Sequence, residues 1–380
     1  MLTKRYTLML CMIIISISLL NGCTDASSAN PNSSKNESGN ESDKSNKSSN
    51  SFKKIKAPFT ISEGEFGAIE GWLNDQTIVY LTNTDKVSIL WTFNLYTGKN
   101  VKMFESDSPI VSVNISPSRE RLLIHSSSTS EEGIITVIDK KGKSLATKSI
   151  ISSEITFVWN PFNDDLVLVS SFNEQWDFQV SVLNIKTNEL KDSTLTQQPF
   201  ASWVTKDELI YLNWDNDDPA FFAPVIKQGI SEATGEELEF SNIFQLSSFN
   251  DVVLMISVDK DNKEKAVYTF LSNRFKKLTT FTIPQLTKFS DWLVPFYDFS
   301  QSKNQFLTFR PLSSGEVDTY KDGFQLVQYH LDSKEENVLL EGMENKPISL
   351  SPNGNLCLYG FQLENIIDLQ SKKIVPLVKD

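Results

Sequence analysis

One pattern recurs seven times along this chain, and it limits the available folds more than any other feature. Each copy opens with a polar turn and runs into a short β-rich segment. The copies are Asn74-Asp75-Gln76 before Thr77–Tyr80, Ser116-Pro117-Ser118 before Leu122–Ile124, Asn160-Pro161-Phe162-Asn163 before Leu166–Leu168 and Thr205-Lys206-Asp207 before Leu209–Tyr211. Three more follow: Phe249-Asn250-Asp251 before Val252–Leu254, Gln301-Ser302-Lys303 before Phe306–Leu307, and Ser351-Pro352-Asn353-Gly354 before Leu356–Leu358. The first apolar anchors, residues 78, 122, 166, 209, 252, 306 and 356, are spaced 44, 44, 43, 43, 54 and 50 apart. A second turn recurs about 20 residues into most copies, as in Thr97-Gly98-Lys99, Lys141-Gly142-Lys143 and Thr234-Gly235-Glu236. Such residues supply the positive φ that tight hairpins need. Two hairpins per repeat make four strands, and no helical periodicity lies between them. The pattern predicts an all-β fold, a β-propeller of four-stranded blades. This count favours seven blades; the long sixth interval could hide an irregular blade, and the first copy could serve to close the ring. Ala57 to Ile61 is a candidate outer strand for the last blade, with Pro58 suited to a sheet edge.

The N-terminus reads as a targeting segment. Lys4 and Arg5 precede an apolar run from Leu8 to Leu20, which is too short to cross a bilayer as a helix and suits a secretory signal peptide over residues 1–22. Leu20-Asn21-Gly22-Cys23 resembles the lipobox of bacterial lipoproteins. That resemblance implies a lipidated Cys23 as the new N-terminus. Two acyl chains on it would anchor stably where one would not. Residues 24–51 hold ten Ser and six Asn and no large apolar side chain. They bury too little to offset ordering entropy, so 23–52 is expected to be a disordered tether ahead of a propeller domain at 53–380. With Cys11 in the leader and Cys23 lipidated, only Cys357 remains in the folded part, as a small strand residue.

Together, the lipobox, the tether and the Ser-Pro-Asn-Gly turn at 351–354 make the chain similar to the YqgU-like propeller lipoproteins of Gram-positive bacteria. That resemblance implies six blades, against the seven counted from the repeat, and it brings no activity with it. The net charge of −12 argues against a nucleic-acid partner and gives no support to docking on anionic lipid through a basic face.

Loops between second and third strands share one face of a propeller with the blade-to-blade connections. Two of these loops combine aromatics with acids: Glu174, Trp176 and Asp177 in one, and Trp214, Asp215, Asp217, Asp218, Phe221 and Phe222 in the next. On adjacent blades they could line one sector. Aromatic platforms with nearby carboxylates suit sugar rings, and they suit a protein partner equally well. Asp215, Asp217 and Asp218, or Asp259, Asp261 and Glu264, offer hard oxygen ligands but lack the EF-hand spacing, so no metal or other cofactor is expected. No nucleophile elbow, zinc-protease motif or phosphate loop occurs, and His125 beside Ser126 and His330 both read as strand histidines. No catalytic residue is assigned. The expectation is a lipid-anchored extracytoplasmic module that binds or scaffolds a protein or cell-envelope component. The alternative is a cell-wall carbohydrate hydrolase or lyase using Asp/Glu pairs on the loop face.

Overall fold

The computed structural model of the protein describes residues 54–195, 198–215, 220–288 and 291–379. The signal peptide, Cys23 and all but the last part of the approach to the propeller lie outside them, as do Asp217 and Asp218. Seven four-stranded antiparallel sheets succeed one another at 65–106, 110–151, 154–192, 201–237, 245–284, 297–343 and 348–376, here blades 1 to 7. In each, the strands pair in the order of the chain. The seven apolar runs form the second strands: Thr77–Asn83, Arg121–Ser126, Leu166–Phe172, Glu208–Leu212, Val252–Val258, Gln305–Pro311 and Leu356–Tyr359.

These strands are apolar without alternation because both of their faces are covered. Ile78 and Tyr80 pack toward blade 7, while Val79 and Leu81 between them pack toward blade 2. Likewise Leu122 and Ile124 face blade 1 and Leu123 faces blade 3, and Leu356 and Leu358 face blade 1 while Cys357 and Tyr359 face blade 6. Side chains alternate across a strand, so successive residues serve successive seams. Seven apolar clusters result, one for each pair of neighbouring blades, including the pair 7 and 1. The ring is therefore closed by packing.

The closing seam differs from the expectation. Blade 7 draws all four strands from 348–376, and the segment 57–61 adds only one parallel bridge, Phe59 to Val378, beyond its outer strand. Phe59 N donates to Leu377 O at 2.8 Å, and its ring lies 4.5 Å from that of Phe93 and 4.9 Å from that of Tyr80. Across the same seam Trp72 Nε1 donates to Ser349 O at 2.9 Å. The segment thus works as an aromatic wedge, not as an exchanged strand. The two long repeat intervals also resolve. Leu286–Lys288 and Asp291–Leu293 lie in the connection between blades 5 and 6, and Gly315–Glu316 lies in the second loop of blade 6. They pair into a separate three-stranded sheet, so the additional residues decorate one face instead of forming an irregular blade.

Phe59→Ala should lower stability by about 3–5 kcal/mol, the usual cost of emptying a buried Phe site. Hydrogen exchange should rise first in the second strands of blades 1 and 7 and stay unchanged in blades 3 to 5. Uniform loss of protection would contradict closure by a local wedge.

Candidate functional site

Both loops singled out in the sequence lie on the same face, and the structure extends them into an aromatic arc. Asn173 organises the first loop: its Oδ1 accepts from the amides of Gln175 and Asp177, and its Nδ2 donates to Asp177 Oδ2 at 3.0 Å. That turn holds Trp176 at φ 66° and leaves it 67% exposed, edge-on to Phe172. Phe172 stacks in turn on Phe200, itself exposed in the connection to blade 4. In the second loop Phe221 is exposed, and both Phe221 and Phe222 pack on Trp292, with Phe222 at 4.7 Å between ring centres. Trp292 also meets Phe244 at 5.4 Å. A recess of about 280 Å³ lined by Phe200, Trp214 and Phe244 lies between the two groups of rings. Trp214 packs inward against the blade 4–5 seam.

The acids on this face have a plainer role. Glu174 and Asp215 are exposed, and Asp177 is held by its own loop. Asp259 accepts from the amides of Asp261 and Asn262, both at 2.9 Å, and these bonds hold its carboxyl below the usual range. Among the described residues no group of acids, histidines and cysteines has metal-binding geometry. His125 is buried edge-on against Phe157, and burial lowers its pKa. Cys357 is fully buried, with its thiol pKa pushed up by burial.

The opposite end of the ring carries a second feature. The first strands of all seven blades line a central channel, and their turns into the second strands form a cavity of about 830 Å³. Its walls are rich in hydroxyls, and Glu70, Arg119 and Asp298 supply its charges.

Residues 94–360 match the YqgU-like 6-bladed beta propeller domain. The chain belongs to the YqgU-like propeller family. The matched stretch starts at the last residue of the third strand of blade 1 and ends just past the second strand of blade 7, so it contains five complete blades and parts of two. The uncharacterized lipoprotein YqgU of Bacillus subtilis is 29% identical over 82% of this chain and 84% of its own length. The crystal structure of the uncharacterized protein lmo1340 from Listeria monocytogenes is 27% identical, with a TM-score of 0.77 over 84% of this chain and 96% of that one. The β-propeller domain of the Trilobed protease from Pyrococcus furiosus, described as having an open velcro topology, is 10% identical. It covers 83% of this chain and 98% of its own at a TM-score of 0.53, a likeness of fold alone.

The channel charges of this YqgU-like propeller are half-buried. Asp298 sits on the first strand of blade 6, where its Oδ1 accepts from Phe299 N and its Oδ2 from Leu350 N of blade 7 at 2.6 Å. Burial outweighs these bonds and the nearby Arg119 charge, and pushes its pKa up to about 6. Glu70, on the first strand of blade 1, has no hydrogen bond or ion pair to any described residue, and burial pushes its pKa up to about 7. Sequence reasoning missed both, because a lone acid in a short strand looks like a solvated one. Phe200, Phe244 and Trp292 were missed because blade connections carry no repeat marker. Arg119 did leave a signal: it occupies the position where the best-preserved turn has Gly354.

A carboxyl whose pKa is raised in the folded state binds more protons there than in the unfolded chain. For Glu70 that holds between pH 4.5 and about 7, so stability should fall as pH rises through this window and level off above it. Glu70→Gln should make that stretch of the profile shallower, leaving the fall below about pH 6 that Asp298 contributes. It should also exceed the parent at pH 8 by on the order of 3 kcal/mol, since one pKa unit corresponds to about 1.4 kcal/mol. Parallel pH profiles of urea midpoints for the two proteins would refute the assignment.

Proposed function

We propose that this propeller is a lipid-anchored, extracytoplasmic binding module whose aromatic arc receives a cell-envelope component, either a glycan or a protein. The observation that carries this reading is the exposure of Trp176, Phe200 and Phe221 on one face, each backed by further rings. Large side chains left in water on a rigid support are what hot spots are made of, because little entropy is lost on contact. Glu174 and Asp215 at the edges add acceptors for hydroxyls or cationic side chains. The lipoprotein YqgU relative and the Leu-Asn-Gly-Cys sequence at 20–23 support anchoring through Cys23. No observation on the loop face favours the hydrolase or lyase alternative.

Two experiments test the two halves of this reading. Cys23→Ser should move the protein from the membrane fraction to the soluble fraction of cells; retention in the membrane would exclude the lipid anchor. The pair Trp176→Ala and Phe221→Ala should weaken binding to purified cell-wall glycan or to a cross-linked protein partner at least tenfold, with an unchanged melting temperature because both rings are exposed. Undiminished binding of every such partner would remove the arc from the function.

A further inference from the structure

Arg119 occupies a left-handed turn position of the kind that blades 5, 6 and 7 fill with Asn or Gly. In the matching turn of blade 7, Gly354 adopts φ 63° and its amide donates to Ser351 O at 2.8 Å; in blade 2 Arg119 adopts φ 61° and its amide donates to Ser116 O at 2.8 Å. Blades 5 and 6 place Asn250 and Asn304 in the same left-handed region. Glycine and asparagine tolerate this conformation best, and a long side chain is less favoured there, as it also is at Phe275, Lys334 and Lys372 in this chain. The Arg119 side chain is underused. Its guanidinium has five N–H donors, yet the bond made to the protein is one of 3.4 Å from Nη1 to Pro117 O. Burial lowers the Arg119 pKa, and Asp298 and Asp75, near enough to favour its charge without forming an ion pair with it, offset this only in part. Both carboxylates are already committed, Asp298 to Phe299 and Leu350, and Asp75 to the amide of Asn353 at 2.7 Å.

We infer that the channel mouth is a binding site for a small zwitterion, a free amino acid or short peptide, whose carboxylate pairs with Arg119 and whose ammonium is received by Glu70, with the fixed Asp298 charge adding to the field around it. Charge matching selects this class. An anion alone would meet two carboxylates, a cation alone would meet Arg119, and a neutral solute would leave the guanidinium and Glu70 without partners. The cavity volume lies within the range of small-ligand pockets. This site is on the face opposite the aromatic arc, so it stands or falls separately from that reading.

The test is titration of the mature protein by calorimetry and thermal shift with the twenty amino acids, trialanine and a mixed tripeptide library. Trialanine lacking its amine (N-acetyl) or its carboxylate (amide) serves as the charge-deleted control. At least one zwitterion should bind, and removing either charge should weaken that binding tenfold or more. Arg119→Gly restores the residue that the turn prefers, so it should fold with no lower melting temperature while binding acid and amide forms equally. Glu70→Gln should in the same way reduce the preference for the free amine. Absence of binding across the whole panel at 10-millimolar order, roughly the weak limit of a specific site, would overturn the inference. So would equal binding of the doubly capped peptide, or an Arg119→Gly variant that keeps its preference for the carboxylate.

Discussion

Burial of each second strand on both sides is the constraint from which the rest of this molecule follows. A strand such as Thr77–Asn83 cannot leave either face in water, since its odd and even positions are alike apolar. Its sheet must therefore have a neighbour on each side, and the only finite arrangement that gives every sheet two neighbours is a ring. Fully burying one Leu or Phe contributes roughly 1.5–3 kcal/mol, and each seam contains several such residues. The seam between blades 7 and 1 is stabilised in the same way as the others, with no strand exchanged across it. It adds the Phe59 wedge, seated on Tyr80 and Phe93, which covers the outer part of the joint where two chain ends meet.

Placing the burial in the middle strands frees the first strands and the loops for other chemistry. Each first strand has one edge toward the channel, and six of the seven place a polar residue there, Glu70, Asn114, Ser202, Ser248, Asp298 and Ser349, while blade 3 contributes Val158 and Trp159. The loops at the far end hold rings instead. The two ends of one barrel-like stack therefore differ in what they can recognise, apolar surface at one and charge and hydroxyl chemistry at the other. The small sheet made from the insertions of blades 5 and 6 strengthens the aromatic end, because its strand Asp291–Leu293 carries Trp292 to Phe222 and Phe244.

The architecture was legible because it is written in a period. All seven polar turns precede second strands, and the count of seven agrees with the seven sheets, where family resemblance alone implied six. Trp176 and Phe221 are exposed as a polar loop suggests, whereas Trp214 of the same second loop reaches the blade 4–5 seam, so loop composition alone did not say which ring would stay outside. Closure was not legible. An extended Ala-Pro-Phe-Thr-Ile segment has the composition of a strand, and only the completed hydrogen bonding of blade 7 leaves it no ladder to join beyond one bridge. The channel acids were hidden for a related reason: sequence shows that a residue is charged, whereas its pKa depends on what seven distant segments place around it.

Asp298 and Glu70 show how one channel can combine a fixed and an adjustable charge. Asp298 bridges blade 6 to the backbone of blade 7, so its carboxylate is positioned by the seam, and removing it would loosen the ring as well as the site. Glu70 bridges nothing, and it borders the cavity. Near neutral pH it is divided between its two protonation states, so a cationic partner would shift it toward the ionised form with little cost in rearranged protein bonds. Arg119 completes the set from the other side. Burial lowers its pKa, and carboxylates already bonded elsewhere offset part of that loss without occupying its donors, which border the cavity. A closed network of ion pairs would have been a stabilising device; an open one, held by backbone bonds made for another purpose, is an arrangement suited to a ligand.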